Sequence, residues 1–189
     1  MMPGPFGGPV RLLLLLFLAG CAAQRPAAVA FPGSIGDFAQ DAEAGPPVDT
    51  ATGQSAVYVM DAGDPVTATV RIGEPPGQDS LLPALDLGGD GLSAAMAKVE
   101  AGIKRFYPGA KLIFDEPLYL MRDGALQAGE HQTWQYRDQF LGQDRLVAMD
   151  VVINCCTNQG RLVSVWFRHR ADHPIDGDML AFLNELPWN

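Results

Sequence analysis

Two short stretches hold the side chains best suited to chemistry. In HRADHPIDGD, residues 169–178, His169 and His173 stand four residues apart with Asp172, Asp176 and Asp178 close by. Imidazoles and carboxylates at that spacing on one helix could hold a metal ion such as zinc. The stretch lacks the glutamate of an HExxH motif, and Pro174 argues against a helix running through it. Asp176 or Asp178 more simply caps a helix that follows. His169, His173 and Asp176 are therefore the candidate metal ligands, and no other cofactor is implied. The second stretch is NCCTNQG, with Cys155 and Cys156 adjacent. Neighbouring Cα atoms lie about 3.8 Å apart, whereas a disulfide wants about 4.4–6.8 Å. Along a strand the two thiols also point to opposite faces. A vicinal disulfide would need a local break, which the turn at 157–160 could supply. The alternatives are a redox or metal thiol pair, or one buried and one half-exposed thiol at a strand end. His131, beside Glu130, reads as a surface residue at a strand start. No Gly-rich phosphate loop, GxSxG elbow or CxxC occurs, so no residue is assigned a catalytic role.

The elements that must position these groups follow from hydrophobic period. AVYVM (56–60) and VTATVRI (66–72) read as strands separated by turn residues. Residues 73–91 are rich in Gly, Pro and Asp and read as a long loop, a place where a partner could make contact. Leu92, Met96, Val99, Ile103 and Phe106 recur at four, three, four and three, so they form one apolar helical stripe facing the core. Asp90 or Ser93 could cap its start, and YPG (107–109) stops it. AKLIF (110–114) and LYLM (118–121) are further strands. Three antiparallel segments follow. Trp134, Tyr136 and Phe140 share one face of the first. In the second, Val147, Met149, Val151, Ile153 and Cys155 oppose Ala148, Asp150, Val152, Asn154 and Cys156. Val163, Val165 and Phe167 share a face of the third. A last helix near 177–186 carries Met179, Leu180, Phe182, Leu183 and Leu186 on a stripe. Helices flanking a strand meander predict an α+β fold: one domain over 55–189, with an antiparallel sheet between helical layers.

The N-terminus carries an address. Arg11 precedes an apolar run from Leu12 to Ala19, and small residues follow. Eight helical residues span only about 12 Å, too short for a bilayer core of about 30 Å. Positive flank, apolar core and small residues fit a secretory signal peptide over 1–20. Leu18-Ala19-Gly20-Cys21 resembles the lipobox of bacterial lipoproteins. The resemblance implies a diacylglycerol on the Cys21 thiol, cleavage before Cys21 and acylation of the new amine. Each buried CH₂ contributes about 0.8 kcal/mol, so two or three chains anchor a protein almost permanently. The n-region departs from the usual form in being Gly- and Pro-rich with one basic residue. Ala22, where an Asp would retain the protein at the inner membrane, implies the outer membrane, facing the periplasm. Residues 21–54, small and Pro-rich without a sustained period, read as a lipidated tether.

The chain has 189 residues, 48% of them hydrophobic, with 13 Lys and Arg against 22 Asp and Glu. That suits one domain with a real core. A net charge of −9 argues against nucleic acid or an anionic lipid surface as partner. Lipidation of Cys21 would leave Cys155 and Cys156 of the three cysteines.

The order of elements is similar to that of the PsbP-like family: two early strands, the helix at 92–106, the meander, and a closing helix ending FLNELPW (182–188). The resemblance implies a sheet between helical layers and an accessory or assembly role, and carries over no catalytic residue. The expected function is a lipid-anchored envelope lipoprotein that binds or assists an envelope protein. The alternatives are a metal-dependent envelope enzyme using His169 and His173, and a small-ligand binder with a pocket near Trp134, Tyr136 and Trp166.

Overall fold

The computed structural model describes residues 29–50, 53–61, 63–73, 90–122, 124–154 and 161–187. Cys21, Cys155, Cys156 and most of the 73–91 loop lie outside them. The described chain forms one antiparallel sheet: β1 (Ser34–Ile35), β2 (Phe38–Gln40), β3 (Val48–Thr50), β4 (Gly53–Asp61), β5 (Pro65–Gly73), β6 (Lys111–Arg122), β7 (Ala125–Phe140), β8 (Gln143–Asn154) and β9 (Val163–Arg170). The order is β1-β2-β4-β5-β9-β8-β7-β6, with β3 paired to β4 beside this path. Helix α1 (Asp90–Phe106) precedes β6, and α2 (Asp176–Glu185) follows β9.

This corrects the expected α+β layering. The protein is largely β: among the described residues a single helix lies on each face of a nine-stranded sheet. The difference has a physical origin. Only two segments carry a 3.6-residue period, and one helix covers only part of a sheet face this wide. The region expected as a tether over 21–54 also supplies strands: Val29, Ile35 and Phe38 are buried, and β2 and β3 pair with β4. Their apolar residues alternate over too few positions to register as a period. AKLIF and LYLM merge into the single strand β6, with an irregularity between Leu112 and Phe114. Pro117 fits there because β6 is an edge strand, where a missing N–H breaks no ladder bond.

The alternation read in the meander holds. Trp134, Tyr136, Val147, Met149, Val151 and Ile153 pack under Leu92, Met96 and Ile103 of α1. On the other face, Tyr58, Val152, Val165 and Phe167 pack with Met179, Phe182 and Leu183 of α2. Two members of the predicted stripes are exposed. Phe106 is 76% exposed on the rim of a groove between α1 and the sheet, and Leu180 is 41% exposed.

Helix α2 sits in a hollow. Phe182 meets Phe38, Tyr58 and Phe167 edge-on at 4.9, 5.5 and 5.4 Å. Glu185 accepts the Gly36 N–H at 2.8 Å in the β1–β2 turn. From the far end of the strand order, Arg122 of β6 donates to the carbonyls of Asn184 and Leu186 at 3.1 and 3.2 Å. One ten-residue helix reaches both ends of the sheet only because the sheet curls around it. Gly53 is required in β4: its φ is +149°, and a Cβ there would meet the Ile72 carbonyl oxygen at 2.3 Å.

Candidate functional site

Three neighbouring strands bring His131, Asp150 and His169 together. The β7–β8 register sets Thr133 opposite Asp150, and the β8–β9 register sets His169 opposite Ala148. His131, Thr133, Asp150 and His169 therefore share one face, on the α2 side. Asp150 is the hub. Its Oδ1 accepts from His131 Nε2 at 3.0 Å and from the Thr133 hydroxyl at 2.5 Å. Its Oδ2 accepts from His169 Nε2 at 2.7 Å. All three main residues are buried, and Phe114 lies tilted over the His131 ring at 4.9 Å.

The neighbours of His169 fix its charge. Nδ1 lies 2.8 Å from both the Arg170 and the His173 carbonyl oxygens, which only accept. Nε2 faces a carboxylate oxygen. Both nitrogens must therefore donate, and the ring is an imidazolium. Burial alone would lower its pKa, but hydrogen bonding to Asp150, the carboxylate charge and the two carbonyls raise it above the ordinary 6.5. Burial alone would raise the Asp150 carboxyl. Hydrogen bonds from His131, His169 and Thr133, with the His169 charge, outweigh it and hold the group well below the ordinary carboxylate range. The cluster is an internally satisfied ion pair that ties β7, β8 and β9 together.

The candidate metal ligands do not converge. His169 has no lone pair to give, since both nitrogens donate. His173 enters the cluster through its backbone carbonyl. Asp172 pairs with Arg170 at 2.9 and 2.5 Å, and Arg170 also pairs with Asp64. Asp176 is the exposed first residue of α2. Neither Asp176 nor Asp178 caps the helix: its N-cap is Ile175, without a side-chain cap bond. The two acids instead complement the positive N-terminal end of the helix. Among the described residues no group of three His, Cys, Asp or Glu side chains is arranged to hold a metal. Ser93 does not cap α1 but donates to Glu130 at 2.6 Å.

His131, read from sequence as a surface residue, is buried. The missed signal was Asp150, an acid inside the apolar run RLVAMDVVIN, which at a buried position demands donors on adjoining strands. Arg122 and Arg161, both buried, were also missed. Arg161 donates to Gln54 Oε1 at 3.1 Å and to the Gly73 and Ile72 carbonyls at 3.2 and 3.4 Å.

The other face holds an open site. Between the last turns of α1 and the sheet lies a groove of about 590 Å³ walled by Val99, Ile103, Phe106, Tyr107, Met149 and Trp166. Of the aromatic residues expected near a pocket, Trp166 lines this groove, whereas Trp134 and Tyr136 are buried beneath α1.

No protein-family model and no curated protein sequence matches the chain. Among the described residues no helix is long and apolar enough to cross a membrane.

Proposed function

We propose that the protein is an envelope lipoprotein, held at the outer membrane by acyl chains on Cys21 and facing the periplasm, whose sheet domain is a binding or assembly accessory module. The address is supported by the resemblance of Leu18–Cys21 to a lipobox, and the accessory role by the PsbP-like order of elements. The observation that carries the binding role is the contrast in polar and apolar groups. The buried His131–Asp150–His169 cluster is satisfied by its own partners, while a groove of about 590 Å³ with an exposed phenylalanine opens to solvent. Exposed aromatic residues beside a concavity mark sites of association. The metal-enzyme alternative loses its central ligand, because His169 is an imidazolium.

The test is labelling with radioactive palmitate, followed by in-cell crosslinking from a photoreactive residue at position 106. Label on the native protein and none on Cys21→Ser supports the anchor. One defined crosslinked species from the anchored form supports the binding module. Equal label on both proteins would overturn the anchor, and no crosslinked species from either would overturn the module.

A further inference from the structure

We propose that the groove between α1 and the sheet binds an anionic amphiphile, with its apolar chain along Phe106 and Trp166 and its head at Arg71. This deepens the binding-module reading and rests on it. The groove's volume is that of small-molecule sites. Its walls are aromatic and aliphatic: Val99, Ile103 and Phe106 from α1, and Met149 and Trp166 from β8 and β9. Its charged lining residues are Arg71 and Lys98, both cations and both exposed, in a chain of net charge −9. No acid is among the residues that line it. The Arg71 guanidinium lies over the Trp166 ring, 5.9 Å from its centroid. That contact holds the fork at the junction of the apolar wall and a second hollow.

The second hollow, about 440 Å³, shares Arg71 and continues past it. Ser55, Ser164 and Gln54 line it, with the apolar Ile72 and Leu162. The two hollows share the Arg71 guanidinium fork, which lines both. A planar carboxylate or a phosphate satisfies that fork with two parallel hydrogen bonds. A purely apolar ligand leaves it unused, and a cationic one is repelled. The match is a single acyl chain ending in a carboxylate or phosphate. A free fatty acid and a lysophospholipid share this chemistry.

The experiment uses the full chain in its membranes. It is exposed to a long-chain fatty acid carrying a mid-chain diazirine, in parallel with the corresponding fatty alcohol and a lysophosphatidic acid with the same photoreactive chain. The labelled peptides are mapped by mass spectrometry. The expected result is label concentrated on residues 99–107, Met149 and Trp166. Phe106→Asp should reduce it for every probe. Arg71→Gln should reduce label from the two acids about tenfold, as loss of a charged hydrogen-bonding partner does, and leave label from the alcohol unchanged. Stronger labelling by one acid identifies the source of the head. Phe106 and Arg71 are exposed, so neither change threatens the fold, and circular dichroism checks this. Label scattered over the surface, or equal loss of acid and alcohol label in Arg71→Gln, overturns the proposal. If the amphiphiles fail while position 106 still crosslinks a protein, the amphiphile falls and the binding module stands. If both fail, both fall.

Discussion

The two faces of this sheet are finished differently. On the α2 face the hollow is filled and its histidine–aspartate cluster is answered: Asp150 takes three donors, His169 gives both protons, and Arg122 closes the end of the helix. On the α1 face the helix packs on β7 and β8 and leaves a groove beside Met149 and Trp166, with Phe106 exposed on its rim. Buried charge without partners is costly, so the closed face had to be completed within the chain. Exposed apolar surface costs less and can wait for an external partner. Stability and recognition are thus divided between the faces, a division that substitutions can test.

The largest effect is expected on the closed face. Asp150→Ala leaves two buried histidines without their acceptor and should cost about 3–5 kcal/mol. Phe106→Ala should change stability by no more than about 0.5 kcal/mol. Urea denaturation of both variants reads the difference directly, and equal losses would break the comparison. Next comes Arg122→Met, which keeps the stem but removes the donors at the α2 C-terminus. It should cost about 1.5–3 kcal/mol, read from the same denaturation midpoint.

A pH series sharpens the contrast further. The folded pKa of His169 lies above 6.5, so its stabilisation is complete below 6.5 and is lost as pH rises through the raised value. The folded pKa of Asp150 lies below 3.8, so its contribution is complete above 3.8 and is lost as pH falls through the depressed value. Thermal stability should therefore plateau between these limits, and His169→Gln should abolish the alkaline decline. A decline that survives that substitution would place the titrating group elsewhere. A stabilising change is expected at the two-residue β7–β8 turn, where Leu141 and Gly142 have φ of 53° and 72°. A leucine is strained there, so Leu141→Asn should raise stability by about 1 kcal/mol, visible as a higher melting temperature.

How much of this was legible in the sequence depends on length of pattern. In β7, β8 and β9 the alternation runs long enough that the residues under α1 were set on one face, Val147 to Ile153 above all, whereas the buried His131 was placed at the surface. β1 to β3 span two or three residues each, too few to show a period, so Phe38 went unnoticed as a core residue. The stripe Leu92–Phe106 correctly predicted a helix and wrongly buried its last member, because period reports a face but not how much of it a neighbour covers. The polar cluster was half legible. His169 attracted notice through its spacing to His173, yet its partners come from β7 and β8, and only pairing register reveals such neighbours.

The curl of the sheet has a consequence for the order of events during biogenesis. Phe182, Asn184, Glu185 and Leu186, the last turn of α2 and the residue after it, touch strands from both ends of the sheet. Strand β5 likewise finds β9 only across about a hundred residues of intervening chain, as Val70 pairs with Val165. A nascent chain that has not yet delivered those final turns can form hairpins but cannot close. Folding is therefore timed by the arrival of the C-terminal residues, and a chain cut before Phe182 should remain a substrate for proteases however intact its meander.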